Sequence, residues 1–135
     1  MNRRHLIRLG GIGTMLGVGA CAAGGGGGGG RNAPVQNYEG VPFIGGASMA
    51  ARGNQIRRAG TGLGWVMEDR GPGLIRGTLN VRTHQAVVDI PYNNSVFGIR
   101  YVSSQNLDYD GTTIHRNYNG WVERLQRTIA ATGPG

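Results

Sequence analysis

The side chains that could carry chemistry in this 135-residue sequence are one thiol, three imidazoles and a few serine hydroxyls. A metal site would need several His, Cys or carboxylate ligands at short spacings, and neither His84 nor His115 has such neighbours in the sequence. We expect His84 at a hairpin turn and His115 at the start of a helix, and no pattern places the two together. The sequence therefore predicts two structural histidines, no metal site and no cofactor.

A nucleophilic serine would need an activating base close to it. Ser103 and Ser104 follow a predicted strand without a Gly-x-Ser-x-Gly elbow. The nearest carboxylates in the sequence, Asp108 and Asp110, stand in a loop that favours side chains satisfying its own backbone. A paired-carboxylate hydrolase is not favoured by that spacing. We therefore expect no catalytic residues and a protein that is not an enzyme.

The glycines of Gly60-Thr61-Gly62-Leu63-Gly64 resemble a dinucleotide-binding loop only in composition. A phosphate-binding loop follows a strand and opens a helix, whereas these glycines follow a predicted helix and precede a predicted strand. The sequence contains no lysine, so it has no Walker loop either. We interpret these glycines as a helix stop and a turn.

The single cysteine, Cys21, ends a segment that has the three parts of an export signal. Residues 1–21 have a basic start, a weakly apolar middle and a small-residue end, Leu16-Gly17-Val18-Gly19-Ala20-Cys21. This end resembles a bacterial lipobox, in which the thiol accepts a lipid. Lipidation explains a thiol that has no disulfide partner within the chain. The alternative is that Cys21 is discarded with an ordinary signal peptide.

The export route stays open between two pathways. Asn2-Arg3-Arg4-His5-Leu6-Ile7-Arg8 resembles a twin-arginine motif, although basic pairs are also common in general secretion signals. With Cys21 as the mature N-terminus, the next residue is Ala22 and not Asp, which resembles the pattern that directs enterobacterial lipoproteins to the outer membrane. We therefore expect a lipid anchor in the outer membrane and a protein that faces the periplasm.

Residues 22–46 predict a flexible tether. They include seven consecutive glycines and then show neither helical nor alternating periodicity. As a random coil, residues 24–46 would reach about 25 Å, enough to hold a small domain clear of lipid headgroups. Within the tether, Val41-Pro42-Phe43-Ile44 could dock as a short extended piece. The domain itself is predicted to span residues 47–132.

Between residues 74 and 102, apolar and polar residues alternate across two turn-sized gaps, which predicts a three-stranded antiparallel meander. Placing the first turn at Thr83-His84 opposes Leu79 to Val88. Placing the second at Asn93-Asn94 opposes Val88 to Ile99. Both registers bury the same face, and a slip of one residue would send it into water. That face is predicted to contain Ile75, Leu79, Val81, Val88, Ile90, Phe97, Ile99 and Tyr101, and the opposite face Arg76, Thr78, Asn80, Arg82, Asp89 and Arg100.

A fourth strand and two amphipathic helices flank this meander. Trp65-Val66-Met67-Glu68 predicts the strand, and we favour the register that buries Trp65 because of its area. The first helix has Ser48 as a possible N-cap, and the second has Asp110 or Thr113. The helical stripes are Met49, Gly53, Ile56, Gly60 and Leu63 in the first, and Ile114, Tyr118, Trp121, Val122, Leu125 and Ile129 in the second.

Each of these elements has one apolar face to bury. Packing the helices on the sheet buries the apolar stripes of the helices and the apolar face of the sheet together. We predict an α+β two-layer sandwich, a four-stranded antiparallel meander with an N-terminal and a C-terminal helix on one face. The opposite face of the sheet is then open to solvent.

The open sheet face would carry Arg76, Arg82 and Arg100, a set that suits an anionic ligand such as a lipopolysaccharide phosphate or a peptidoglycan carboxylate. The whole chain has a formal charge of +7. A solvated face with one arginine paired to Asp89 explains much of the positive excess in the predicted domain. Nucleic acid is not expected as a partner, because an exported protein does not meet it.

Several strings between Ile56 and Ile129 are distinctive together, although none is a catalytic signature. They are Gly60-Thr61-Gly62-Leu63-Gly64-Trp65, Pro72-Gly73-Leu74-Ile75, Leu79-Asn80-Val81-Arg82-Thr83-His84, Val88-Asp89-Ile90-Pro91-Tyr92, Ile99-Arg100-Tyr101, Ser103-Ser104-Gln105-Asn106-Leu107 and Ile114-His115-Arg116-Asn117-Tyr118-Asn119-Gly120-Trp121. With them the segment resembles a family of small proteobacterial envelope lipoproteins without an assigned biochemical activity. The resemblance implies an envelope location and a fold, and no site residues.

The sequence thus predicts a lipid-anchored, non-enzymatic binding or accessory module of the cell envelope. Its partners would be the membrane, through the lipid on Cys21, and an envelope protein or an anionic glycan. The alternative is a small periplasmic binder of lipopolysaccharide or peptidoglycan that uses Arg76, Arg82 and Arg100.

Overall fold

The computed structural model describes residues 31–134, in which two strands, a helix, five strands and a second helix follow one another along the chain. The strands are β1 (Asn32–Pro34), β2 (Tyr38–Pro42), β3 (Val66–Gly71), β4 (Leu74–Val81), β5 (His84–Pro91), β6 (Val96–Gln105) and β7 (Thr113–His115), and the helices are α1 (Met49–Gly62) and α2 (Arg116–Ala131). The predicted export signal with Cys21 and the predicted glycine run, residues 24–30, lie outside the described residues.

The fold of residues 31–134 is α+β, with two helices and a five-stranded antiparallel sheet in the order β2-β6-β5-β4-β3. The strands β1 and β7 form a separate two-stranded sheet. The predicted meander is confirmed as β3-β4-β5-β6. The prediction of four strands is wrong, because β2 adds to the free edge of β6, with Val41 opposite Phe97.

The structured part of the chain begins earlier than the predicted boundary at residue 47, so a flexible tether is wrong over residues 32–40, whereas the extended docking expected at Val41-Pro42-Phe43-Ile44 is seen from Val41 to Phe43. Both β1 and β2 lie there, and Phe43 is buried with its ring centroid 5.1 Å from that of Phe97. Gly40 and Pro42 obscure the strand signal in the sequence. An edge strand tolerates both, because one side of it makes no ladder hydrogen bonds.

Both hairpins of the meander are shifted by two residues from the predicted registers. Leu79 lies opposite Ala86, where we expected Val88, and Val88 lies opposite Tyr101, where we expected Ile99. A shift of two keeps every side chain on its predicted face, because the side-chain period of a strand is two. The predicted apolar face is therefore buried, apart from Val81 and Tyr101, which are half-buried.

The turns explain these shifts. The first turn is Arg82-Thr83, with Arg82 in the left-handed region at φ 57°. The second turn spans residues 93–96, where the Asn93 side chain accepts hydrogen bonds from two backbone N–H groups. Trp65, directly before β3, is only 3% exposed, which confirms that it is buried as we favoured.

Helix α1 confirms the predicted N-cap, because Ser48 Oγ accepts a hydrogen bond from the Ala51 N–H at 3.1 Å. Its two buried glycines lie where neighbouring side chains come close. A Cβ on Gly60 would lie 2.5 Å from Met67 Cε, and one on Gly53 would lie 2.8 Å from the Tyr92 hydroxyl. Glycine therefore lowers the helix propensity of α1 and at the same time permits its packing.

Helix α2 begins later than either predicted cap would place it, two residues after the position set by Thr113 and five after that set by Asp110. His115 is the N-cap, and its Nδ1 accepts a hydrogen bond from the Asn117 N–H at 3.1 Å. The predicted helical residue Ile114 instead lies in β7, where it is fully buried. The remaining apolar stripe of α2 is buried as predicted at Tyr118, Val122, Leu125 and Ile129, whereas Trp121 is half-buried.

One hydrophobic core joins the two helices to the sheet. It contains Ile56 and Ala59 from α1, the stripe of α2 and the apolar face of β4, β5 and β6. The loop residue Leu107 closes one end, with 1% of its surface exposed. Nearly all of the apolar residues predicted from alternation and helical period are part of this core.

Candidate functional site

The predicted anion site on the open sheet face is a row of alternating charges. Cross-strand pairing places Glu68 opposite Arg76, Arg76 opposite Asp89, and Asp89 opposite Arg100. Arg76 donates two hydrogen bonds to Asp89, at 2.8 and 3.2 Å. Arg100 donates two to Glu39 of β2, at 3.1 and 3.2 Å.

Arg76 and Arg100, the two central arginines of that face, are therefore both paired with carboxylates. The hydrogen bonds from Arg100 lower the pKa of Glu39, and the hydrogen bond to Asp89 raises the pKa of Arg76. Arg82 is exposed in the first turn, at the end of β4, away from this row. An anion on the sheet face would therefore have to compete with two carboxylates that already lie there, and the sheet-face hypothesis stays a prediction.

The two histidines lie together, contrary to the expectation that nothing joins them. Their ring centroids are 6.5 Å apart, and the ring of His84 lies 6.3 Å from that of Trp121. The predicted position of His115 at the start of α2 is confirmed, whereas His84, predicted in the turn, lies one residue beyond it and begins β5. The sequence could not reveal the contact because it depends on how α2 meets the end of the first hairpin.

Backbone contacts fix the hydrogen-bonding role of one nitrogen in each ring. His84 Nδ1 lies 2.7 Å from the carbonyl oxygen of Asn106, so it carries the proton and donates. His115 Nδ1 accepts from a backbone N–H, so its lone pair is occupied. Among residues 31–134, no group of three or more His, Cys, Asp or Glu is arranged to hold a metal ion.

The serine and carboxylate side chains near the end of β6 have structural partners. Ser104 Oγ lies 2.8 Å from the Tyr101 hydroxyl, within hydrogen-bonding distance. Asp110 accepts from the N–H groups of Thr112 and Thr113, and these hydrogen bonds lower its pKa. Asp110 thus organises the loop before β7, as expected for a loop that satisfies its own backbone.

A groove beside α2, in the described part of the chain, is a cavity that the sequence did not predict. Its volume is about 550 Å³, within the range of ligand sites in proteins. The groove lies between the first half of α2 and the ends of β4 and α1. It is lined by Leu63, Trp65, Leu79, Val81, Arg116, Asn117, Gly120, Trp121 and Arg124.

The floor of this groove is apolar and its helical wall is basic. Leu63, Leu79 and Val81 lie on the floor beside Trp121, and the wall carries Arg116 and Arg124 with no acidic residue among the lining side chains. Both arginines are exposed. None of the ion pairs found within residues 31–134 includes Arg124.

At Gly120 the helical wall of the groove has no side chain. This residue stands in the interior of an exposed helix face, where glycine costs about 1 kcal/mol relative to alanine. A Cβ placed on it would meet no atom within 4 Å, so close packing does not explain it. A glycine inside the clearest helical period of the sequence was the signal that could have located this groove.

A buried arginine is the other feature that sequence reasoning missed. Arg52 of α1 is fully buried and donates to the carbonyl oxygens of Asn94 and Gly45 and to Gln55 Oε1. Its guanidinium carbon lies 4.3 Å above the ring of Phe43. Gln55 in turn donates to the carbonyl oxygens of Ile129 and Thr132 at the end of α2, at 2.8 and 2.6 Å. Arg52 and Gln55, together called the clasp, thus join the segment at the end of the edge strand β2 to both helices.

Comparison with known proteins gives no relative: no protein-family model, no curated protein and no solved structure matches the chain. The resemblance to small envelope lipoproteins therefore stays a prediction. Within residues 31–134, no helix has the length and apolar character needed to cross a membrane.

Proposed function

We propose that this protein is a non-enzymatic ligand-binding module of the cell envelope, held at the outer membrane by a lipid on Cys21 and facing the periplasm. The observation that carries the binding role is the groove beside α2, which combines an apolar floor with two arginines. Such a composition is typical of ligand sites, where apolar surface supplies affinity and a few polar groups supply orientation.

The contacts of the candidate catalytic residues support a binding role over catalysis. The Nδ1 atoms of His84 and His115 are engaged by backbone groups, and the Asp110 carboxylate is engaged by its own loop. A nucleophile with an adjacent base is the usual requirement for acyl transfer or hydrolysis. We infer also that both helices cover the apolar face of the sheet, which leaves the charged face and the groove as the surfaces for partners.

The location is supported by the sequence, through the lipobox-like segment that ends at Cys21. Mass spectrometry of the mature protein from membranes tests it directly. We expect an N-terminal Cys21 with a diacylglyceryl group, and we expect Cys21→Ser to abolish the lipid and move the protein to the soluble fraction. An unmodified N-terminus downstream of Cys21 would contradict the anchor and leave the binding role to be tested separately.

A further inference from the structure

We propose that the groove beside α2 binds an acidic saccharide, a sugar unit whose ring lies on Trp121 and whose carboxylate is held by Arg124 and Arg116. The inference rests on the proposed binding function and names its ligand class. It also places the anionic ligand in the groove beside α2, whereas the sequence placed it on the sheet face.

The aromatic floor supports a flat ligand. Trp121 is half-buried, and contact with His84 at 6.3 Å between ring centroids restricts the orientation of its indole. The face of an aromatic ring carries partial negative charge and attracts the partly positive C–H groups of an apolar ring face. Pyranose rings have such a face and carry hydroxyls at their edge, where Asn117 lines the groove.

The helical wall supports a ligand that approaches the backbone closely and carries negative charge. Arg116 and Arg124 lie two turns apart, about 12 Å along the helix axis, with Gly120 midway between them. The missing side chain at Gly120 opens the wall between the two guanidinium groups. Arginine binds carboxylates through two parallel hydrogen bonds, so this wall suits an acidic group more than a neutral one.

The groove is less suited to an acyl chain or to a strand-like peptide. An acyl chain gains affinity in proportion to the apolar area removed from water, whereas this groove is bordered by guanidinium groups and an amide. A peptide added as a strand needs a free sheet edge, and α2 forms this wall. The volume of about 550 Å³ is that of a small-ligand site.

The test is calorimetric titration of the full chain, purified in a non-ionic detergent, with three probes. The acidic probe is the disaccharide N-acetylglucosaminyl-N-acetylmuramic acid. Its neutral match is chitobiose, which has the same type of backbone without the carboxylate, and the third probe is triglutamate. We expect saturable binding of the acidic disaccharide, with chitobiose and triglutamate each at least about tenfold weaker.

Three variants locate the site. Arg124→Gln removes one charge and should weaken binding of the acidic disaccharide about tenfold, whereas Arg100→Gln on the sheet face should leave it unchanged. Gly120→Ala places a methyl group in the opening of the wall. It should weaken binding while raising the melting temperature by about 4 °C, because alanine favours the helix. A variant that binds less and yet is more stable cannot owe its defect to misfolding.

Tryptophan fluorescence gives a second readout. The chain has two tryptophans, and only Trp121 lies against the proposed ligand with exposed ring surface, so the emission change on titration should disappear in Trp121→Phe. The proposal is overturned by no saturable binding, by equal binding of chitobiose, by preference for triglutamate, or by loss of binding in Arg100→Gln with Arg124→Gln unaffected. These outcomes are independent of the lipid on Cys21, so failure here differs from failure of the proposed location.

Discussion

Replacing Arg52 by methionine is expected to destabilise the protein more than any loss of an exposed charge. The guanidinium is fully buried and donates to Gln55 Oε1 at 2.9 Å and to the Asn94 carbonyl oxygen at 3.1 Å. It also donates to the carbonyl oxygens of Ile44 and Gly45, at 3.4 and 2.5 Å. The Met side chain fills the space of the apolar stem but leaves all four acceptors without this donor.

The magnitude follows from how deeply each acceptor is buried. The Gln55 contact is buried, and losing its donor costs about 1.5 kcal/mol, while the three part-buried carbonyls together cost about as much, since water reaches them in part. Loss of the contact with the Phe43 ring adds about 1 kcal/mol. Removing a charge from the interior offsets about 1 kcal/mol of this loss of stability. The net loss is about 3 kcal/mol, which lowers the melting temperature by about 12–24 °C.

Urea unfolding at neutral pH, followed by circular dichroism, measures this difference. The matched control is Arg127→Met, which removes an exposed pair with Glu123 and should cost about 0.5 kcal/mol. A double cycle with Gln55→Leu should give a coupling above about 0.5 kcal/mol, because the two side chains share one hydrogen-bond network. If Arg52→Met is as stable as the unaltered protein, the clasp does not hold the first edge strand to the helices, and this reasoning is refuted.

Three further substitutions test other contacts. The Tyr118 hydroxyl is buried with no hydrogen-bond partner among residues 31–134, and burial raises its pKa. Tyr118→Phe should therefore be neutral or stabilise by up to about 1 kcal/mol in urea unfolding, and a loss of stability would contradict this. His115→Ala should cost about 1 kcal/mol by removing the cap of α2, and His115→Asn should restore most of it in thermal unfolding, whereas equal losses would exclude a capping role. Because Arg100 lowers the pKa of Glu39 below its ordinary 4.5, the pair contributes stability above the unfolded value and loses it as pH falls through the folded value. The acid side of the stability profile should therefore flatten in Glu39→Gln, and an unchanged profile would contradict this.

The hydrophobic pattern was sufficient to predict which side chains form the core, but it was not sufficient for the register. Alternation with period two determines the face of each residue, and it is unchanged by a shift of two. The register depends on the turns, and the first turn places Arg82 at positive φ, a conformation that its residue type does not signal. A bulge between Val87 and Val88 also changes the pairing near Ser103, and alternation alone gives no sign of it.

Two other features depend on contacts between distant parts of the chain. A short edge strand such as β2 has too few alternating residues to be recognised, and its pairing with β6 joins residues far apart in the sequence. The sequence predicts that Arg52 is an exposed helix residue, because a charged side chain is normally at the surface. Its burial depends on carbonyl groups supplied by two separate loops, which no local pattern reveals.

The same reasoning explains why the sequence directed attention to the sheet face. Counting charges along β4 and β6 finds arginines, but the acids that neutralise Arg76 and Arg100 come from β5 and β2, across the sheet. Along α2, by contrast, Glu123 pairs with Arg127, and no acidic side chain is among those that line the groove. Within residues 31–134, the exposed guanidinium of Arg124, which is in none of the ion pairs found there, therefore lies beside an apolar floor. A ligand with a carboxylate and a flat apolar face can contact an arginine and an apolar surface together beside Gly120. On the sheet face it would meet arginines without this apolar surface.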